Sequence, residues 1–421
     1  MRTHLAISAA VCILSSGAQA QVTLQAVTVG THSQTTPLAD SVYDTAFTQA
    51  SSALNNDVGS NDVDCNVGMA RYGAQVTYTE GDDNISDDVE YYDTTFRNNG
   101  TFMNVVDSIN WCEVTGSAGG CGYPINGGTP FVITRAWALD PANGLAFAHE
   151  FGHVLGNTHD DDQPLQIMDP DGPTTSHTKV RTSTRCAMFR EDIGCWNPGG
   201  CSLYALSFTA GEPPQRESQQ RVDQFWEASS TASAQDKQST HASRYADLSI
   251  EELGSRLILD RIPVEVDEYY GQKDVEVLKQ MLADPARITY HNTILTLIGL
   301  ISDGNAGDVH ALTDYIMFTQ NSAQKYAAAM ALGYIVNRAN SAEALAFLLT
   351  QRHSSDRAVA RGSILGLGLS GNIRARAELE DAVSVTVVQD RGRNILNHAL
   401  TDNLLIEELG LKGYYQRGRT R

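Results

Sequence analysis

Residues 149–160 have the sequence HEFGHVLGNTHD, which contains the pattern H-E-x-x-H-x-x-G-x-x-H. His149 and His153 are four residues apart, so on a helix their imidazoles project from the same face and can share one cation. Gly156 allows the chain to leave the helix through a conformation that a Cβ atom would resist, and this turn brings back His159. Three imidazoles with an open fourth position form the catalytic arrangement of zinc. The sequence therefore predicts a Zn²⁺ site on His149, His153 and His159.

Two further residues complete the predicted site. Glu150 stands beside the first histidine, where its carboxylate can reach a water molecule on the cation and take its proton, so it is the predicted general base. Met168, in the segment Ile167-Met168-Asp169-Pro170, follows nine residues after His159. By itself this segment is typical of an ordinary β-turn with a core methionine, and a structural role beneath the metal follows from the resemblance described next.

This combination resembles the metzincin zinc metallopeptidases, whose third histidine is followed by a methionine turn under the metal. The pair His159-Asp160 and the short distance to Met168 are most similar to the reprolysin and matrixin branches. Astacin-like and serralysin-like enzymes have a tyrosine two places after the methionine; this chain has Pro170 there, so no tyrosine is assigned to the metal or the oxyanion. The resemblance covers about residues 21–205. It implies an α+β catalytic domain with a twisted mixed sheet, an active-site helix and a methionine turn.

The N-terminus predicts export. Residues 1–20 resemble a signal peptide, with Arg2 as the positive charge, a short apolar stretch at 5–14 and a small-residue cleavage site at 18–20. The expected location is therefore secreted or periplasmic. Because the predicted strand at 22–29 begins directly after the cleavage site, we expect no folded N-terminal pro-domain that holds the protein latent.

The cysteines agree with an oxidising compartment. Seven are present, of which Cys12 lies in the predicted signal peptide. The remaining even set in an exported chain predicts three disulfide bonds. Cys112 and Cys121 flank a glycine-rich loop and are the expected local pair. The partners of the other four cannot be assigned from the sequence: Cys65, Cys186, Cys195 and Cys201.

The formal charge of −20 excludes some partners. It repels nucleic acid and anionic lipid, and no basic stripe offsets it. After the signal peptide no apolar stretch approaches the length of a transmembrane helix, so no integral membrane segment is expected. The acidic loops at 61–64 and 81–84 contain ligands for Ca²⁺, but neither has EF-hand spacing, and solvated loops are favoured over calcium sites.

Residues 21–207 are predicted to form the catalytic domain. Asp140-Pro141 is a helix start signal for the motif helix. The metzincin resemblance implies that an extended peptide substrate pairs with an edge strand just above the active-site helix. Phe131–Arg135 occupies that position, with an interior strand as the alternative. The other predicted elements are strands at Val22–Val29, Ala74–Thr79 and Phe102–Trp111, and helices at Asp40–Asn55 and His177–Arg190.

The second half of the chain has a different pattern. Residues 208–245 are predicted to be a linker, and residues 246–415 an all-α, solenoid-like domain. Gly299, Gly333 and Gly368 recur at intervals of 34 and 35 residues within similar apolar segments. Paired helices at this period resemble short HEAT-type repeats, in which small residues allow close helix packing. A helical domain without repeats is the alternative.

These features predict a secreted zinc endopeptidase acting on a protein or peptide substrate, with a helical-repeat domain that can hold a protein partner. A second hypothesis is that binding is the main task, so that the protease domain acts on a single bound partner or is nearly inactive. The presence of Glu150 argues against an inactive enzyme, because holding a metal does not require it. A third hypothesis is a zinc hydrolase of a non-peptide amide.

Overall fold

The structure is a computed structural model, and the description that follows covers part of the chain. The described residues are 23–55, 65, 67–96, 101–112, 114–122, 130–140, 143–155, 157, 167–168, 186, 189, 248–258, 262, 264–386 and 391–419. They form a mixed α/β region at the N-terminal end and an all-helical region at the C-terminal end. The predicted α+β class is confirmed at this level. The predicted signal peptide, the linker at 208–245 and the acidic loop at 61–64 lie outside the described residues.

The N-terminal region contains three sheets. The central one has five strands in the order β4-β2-β6-β10-β9, in which β9 alone is antiparallel to its neighbour. Strands β1 and β3 form a parallel pair, and β5, β7 and β8 form a third sheet. The strands are β1 (Thr23–Val27), β2 (Val29–His32), β3 (Val67–Arg71), β4 (Val76–Tyr78), β5 (Asn84–Ile85), β6 (Met103–Val106), β7 (Ser108–Cys112), β8 (Val114–Ala118), β9 (Gly120–Cys121) and β10 (Phe131–Thr134).

Four described helices belong to this region: α1 (Asp40–Leu54), α2 (Asp88–Phe96), α3 (Arg135–Leu139) and α4 (Asn143–Val154). Helix α1 matches the prediction for Asp40–Asn55, since its apolar residues recur on one side. That side packs on α4, where Phe47 and Phe147 meet edge to face with ring centroids 5.4 Å apart. Gly144 allows this approach, because a Cβ atom there would overlap with Gln49 of α1.

Two predicted strands are each divided between two sheets. The stretch at 22–29 continues past Val27 as β2, and the chain changes sheets at Thr28, whose carbonyl oxygen accepts from Phe102 and Met103 of the next strand. The stretch at 102–111 is likewise split into β6 and β7 at Asp107. The alternation of apolar residues identified these segments as extended, but it does not record a change of partner strand.

The prediction that Phe131–Arg135 is an edge strand is wrong. Strand β10 is interior, with β6 on one side and β9 on the other. Arg135 begins α3, a short helix that the sequence pattern did not predict. All four residues of β10 are buried and apolar apart from Thr134, as expected for a strand that is covered on both faces. Among the described strands, β9 is the edge strand next to β10.

Two disulfide bonds join described cysteines. Cys112–Cys121 confirms the predicted local pair, and the second bond joins Cys65 to Cys186. The latter closes a separation of 121 residues and ties the start of β3 to a helical residue near the motif helix. Cys195 and Cys201 lie outside the described residues, so a third bond stays a prediction.

The C-terminal region consists of helices α5 (Ile250–Leu253), α6 (Gln272–Leu282), α7 (His291–Ile301), α8 (Ala306–Phe318), α9 (Ser322–Ala339), α10 (Ala342–Gln351), α11 (Arg357–Leu369), α12 (Ile373–Val385) and α13 (Arg391–Arg419), with 3₁₀ turns at Val264–Glu268 and Pro285–Tyr290. A polar side chain accepts from a backbone N–H at the start of each of five successive helices. These N-caps are Asn305, Asn321, Ser341, Asp356 and Asn372.

The three periodic glycines mark successive contacts between every second helix. A Cβ atom at Gly299 of α7 would lie 2.6 Å from the Cα of Ala331 in α9. Gly333 of α9 packs in the same way on the backbone of α11, and Gly368 of α11 on that of α13. The 34- to 35-residue spacing therefore corresponds to a repeated packing step, α7 on α9 on α11 on α13. This explains why small residues recur there.

The helical region packs directly on the sheet region. The guanidinium of Arg361 in α11 contacts the carboxylates of Asp82, Asp87 and Glu90, and all four side chains are nearly inaccessible to solvent. A second contact joins β8 to α13, where the Thr115 N–H donates to the Tyr414 hydroxyl at 3.0 Å. The two regions therefore share buried polar contacts as well as apolar surface.

No helix among the described segments is both long enough and apolar enough to span a bilayer.

Candidate metal centre

Helix α4 presents the motif residues by burying its other face. Phe147, Phe151 and Val154 are fully buried in the core of the sheet region. The ring of Phe151 lies 6.0 Å from that of Phe102 at the start of β6 and 6.4 Å from that of Phe189. These three positions follow helical spacing. They fix the rotation of α4, so that His149, Glu150 and His153 are directed elsewhere.

The two described histidines of the motif converge through their Nε2 atoms, which lie 3.0 Å apart. A backbone carbonyl oxygen orients each ring through its other nitrogen. Nδ1 of His149 lies 2.6 Å from the carbonyl oxygen of Ile167, and Nδ1 of His153 lies 2.9 Å from that of Asn157. A carbonyl oxygen only accepts, so both Nδ1 atoms carry the proton. Nε2 is then the atom of each ring that is able to bind a metal ion.

The two Nε2 atoms are within hydrogen-bond distance of each other, and a cation between them, either a proton or a metal ion, satisfies both nitrogens. A Zn²⁺ ion binds imidazole nitrogens at about 2.0–2.1 Å, which puts two tetrahedral ligands about 3.3 Å apart. The observed separation is close to that value. Metal-bound histidines also commonly donate their other N–H to a backbone carbonyl, which fixes the tautomer. The orientation of this pair therefore fits a zinc ion.

The end of α4 has the geometry that the motif predicts. The Asn157 N–H donates to the Gly152 carbonyl oxygen at 2.9 Å, and Leu155 donates to Phe151 and Gly152. The Asn157 N–H thus bonds back to a carbonyl oxygen five residues earlier, across the end of the helix. This bond is typical of a helix end in which the residue just before the donor is glycine. Gly156 and His159 themselves lie outside the described residues. The third ligand therefore stays a prediction.

Met168 lies directly under the motif helix. A Cβ atom at Gly152 would overlap with the Met168 sulfur and would lie 3.0 Å from the ring of Phe189. Met168 is almost fully buried, and its neighbour Ile167 supplies the carbonyl oxygen that orients His149. The segment 167–168 therefore supports both the helix and one histidine ring from below.

Glu150 is completely buried and is covered by a strand that the sequence analysis did not identify. A Cβ atom at Gly120 of β9 would overlap with the Glu150 carboxylate, and one at Gly122 would lie 2.5 Å from the Glu150 carbonyl oxygen. Gly120 and Gly122 therefore belong to the site, because only glycine allows the chain to pass so close. In the sequence, the glycines around Cys121 indicate a close approach of this kind, but by themselves they predict only a glycine-rich loop.

The acidic loop considered for calcium lies at the interface between the regions. Asp82 accepts from Arg361 at 3.3 Å and from Arg357 at 2.6 Å. Burial and a hydrogen bond with Asp82 raise the pKa of Asp83 to about 7. Burial also acts to raise the pKa of Asp82, but the bond from Asp83 and the two arginines outweigh it and lower that pKa. The raised pKa favours the protonated form of Asp83, whereas Asp82 has a lowered pKa and pairs with Arg361.

Of the predicted site residues, the structure brings together His149, Glu150, His153 and Met168. Elsewhere in the described part of the chain, no group of three metal-ligating side chains forms a metal site. Since His159 is outside that part, this finding does not bear on the predicted centre. No protein-family model matches the sequence, and no curated protein matches it either. The case for a function therefore rests on the site.

Proposed function

We propose that this chain is a zinc-dependent endopeptidase of the metzincin type, in which His149, His153 and His159 hold the metal and Glu150 is the general base. The observation that carries the proposal is the convergence of the two Nε2 atoms at 3.0 Å, with both Nδ1 atoms held by carbonyl oxygens. This arrangement directs the Nε2 atoms of both rings to one point on one side of a helix, beside a buried carboxylate.

Zinc, when bound, supplies a Lewis acid that lowers the pKa of a coordinated water toward ~7 and polarises a carbonyl oxygen. Glu150 accepts a proton from the attacking water as the water oxygen joins the carbonyl carbon of the substrate. It then donates that proton to the nitrogen of the leaving amine as the C–N bond breaks. Burial of Glu150 against β9 limits the motion of its carboxylate, which supports a role that needs a fixed position.

The peptide substrate class rests on the metzincin resemblance together with the position of β9. This strand lies at the end of the central sheet and directly against Glu150. An extended peptide can add to the end of a sheet through main-chain hydrogen bonds, which tolerate many sequences. With β10 interior, β9 replaces it as the proposed docking strand.

The proposal extends to the rest of the chain. We propose a short HEAT-like solenoid for residues 246–415, supported by the repeated glycine contacts between α7, α9, α11 and α13. A secreted or periplasmic location is supported by the two disulfide bonds. We expect a protein or peptide substrate and a possible protein partner for the helices.

The substrate class can be tested directly. The zinc-loaded chain is incubated with a quenched, denatured protein substrate and, separately, with a set of small acylated amines. Cleavage of the protein substrate at internal peptide bonds supports an endopeptidase. Hydrolysis of the small amides alone would instead indicate an amidohydrolase. Absence of both activities in a chain with a full complement of zinc would favour the binding hypothesis.

A further inference from the structure

The strand that covers Glu150 is held between two side chains. Gly119 immediately precedes β9 and Gly120 is its first residue, and the two glycines face opposite sides of the chain. Gly120 faces the carboxylate of Glu150, whereas Gly119 faces the indole ring of Trp137, and at each position a Cβ atom would overlap with that partner. A displacement of the Trp137 side chain therefore shifts Gly119 and Gly120 relative to Glu150, and a displacement of Glu150 shifts them relative to Trp137.

Trp137 is fixed from both regions of the chain. Its backbone N–H donates to the Thr134 hydroxyl at the start of α3, at 3.4 Å. Its indole N–H donates to the carbonyl oxygen of Ile258, at 3.3 Å. Ile258 belongs to the hydrophobic core of the helical region, while Trp137 belongs to that of the sheet region. The indole is thus a direct link between the two cores.

The hydrogen bond from the indole N–H to Ile258 lies beside a cavity. A cavity of about 50 Å³ lies between the two regions and is lined by Gly119, Trp137, Ile258 and Asn292, among others. Dense packing would hold a side chain without any hydrogen bond. The indole ring borders this cavity, so the bond to Ile258 contributes to holding the ring in place.

We infer that Trp137 is a positioning residue: it presses Gly119 and Gly120 against Glu150, and through Ile258 it makes the helical region part of the support for that carboxylate. The inference rests on the proposed function, because it assigns Trp137 an effect on catalysis by Glu150. It gives the helical region a role in the reaction that does not depend on any binding partner. Trp137 itself touches neither metal nor substrate in this account.

The test compares Trp137→Phe with Trp111→Phe in the full-length, zinc-loaded chain. Trp111 is a matched control because it too is a buried tryptophan near the helical region, with its ring 6.1 Å from that of His398. A displaced general base impairs the chemical step more than substrate binding. Trp137→Phe should lower kcat about 10-fold with KM changed less than about twofold and zinc content unchanged, while Trp111→Phe leaves kcat near the wild-type value.

A pair of variants tests the mechanical link. Gly119→Ala should lower kcat by itself, since the new methyl group meets the indole. Adding Trp137→Leu should restore part of that loss, because the smaller side chain makes room for the methyl group. Such non-additivity is expected for residues in direct contact and not for general destabilisation. Amide hydrogen exchange of residues 117–122 should be faster in Trp137→Phe than in Trp111→Phe.

The inference is overturned if Trp137→Phe and Trp111→Phe have the same kcat and exchange rates, or if Trp137→Leu does not relieve Gly119→Ala. These outcomes leave the proposed function intact, because the wild-type chain remains active. If the zinc-loaded wild type hydrolyses nothing, the proposed function itself fails, and the role of Trp137 fails with it.

Discussion

The Nε2 atoms of His149 and His153 lie 3.0 Å apart, while each Nδ1 atom faces a backbone carbonyl oxygen. The chain therefore directs both Nε2 atoms to one point beside α4 and orients both rings through Nδ1. This shared orientation, together with the motif, is the reason for regarding the pair as metal ligands.

Zinc should stabilise the folded chain. Binding to the folded state alone contributes about 2.7 kcal/mol when free zinc is 100 times its dissociation constant. We expect the thermal midpoint to fall after chelation and to recover when one equivalent of Zn²⁺ is added. His153→Ala should lose this response, whereas His310→Ala, an exposed histidine of α8, should keep it. A midpoint that does not change with zinc would contradict the assignment.

Gly120→Ala should impair catalysis without removing the metal. The added methyl group overlaps with the Glu150 carboxylate, and a misplacement near 1 Å can cost about 100-fold in rate. Gly116→Ala is the matched control on the neighbouring strand β8, because its methyl group would meet the Tyr415 hydroxyl at an ordinary 3.6 Å. Steady-state kinetics and zinc content would be measured for both. Equal kcat values for the two variants would show that β9 does not constrain Glu150.

Arg361→Gln should destabilise the fold strongly. The change leaves the buried carboxylates of Asp82, Asp87 and Glu90 without their shared cation, and breaking a buried pair typically costs about 3–5 kcal/mol. Arg357→Gln serves as the control, since that side chain is 66% exposed and pairs with Asp82 alone. An exposed pair contributes about 0–1 kcal/mol. Denaturant unfolding would measure both, and similar small losses would refute the buried network.

Asp83→Asn should stabilise the chain at neutral and higher pH. The folded-state pKa of Asp83 is raised to about 7, so its contribution to stability is present in acid and is lost as the pH rises through that value. Asparagine stays neutral throughout. The stability difference between variant and wild type should be near zero at about pH 4 and exceed about 1 kcal/mol at pH 8. Asp314→Asn, at an exposed position, is the control, and a pH-independent difference would contradict the raised pKa of Asp83.

The sequence predicted the parts of the site that depend on local periodicity. Four-residue spacing put His149 and His153 on one face of a helix, and the spacing of Phe147 and Phe151 identified the face that is buried. The intervals between Gly299, Gly333 and Gly368 predicted where helices approach closely. Each of these features depends on the spacing of residues along the chain, so it can be predicted from the sequence.

Features that depend on distant contacts were not predicted. Nothing in the order of residues indicated that β9 separates β10 from the end of the sheet, which made the edge-strand prediction wrong. The contact between Arg361 and Asp82 joins residues 279 positions apart. The local sequence around either residue does not predict its contact with the other. The same holds for the bond from Trp137 to Ile258. These contacts determine how the helical region supports the site.

The role of Glu150 as the base of a zinc hydrolase is tested by measuring zinc content and peptide-bond hydrolysis in parallel in the wild type and in Glu150→Gln. This variant keeps the size of the side chain but cannot accept the proton. We expect about one zinc per chain in both proteins, with hydrolysis at least about 100-fold slower in the variant. Wild-type activity in Glu150→Gln, or wild-type protein that binds no zinc, would contradict this role.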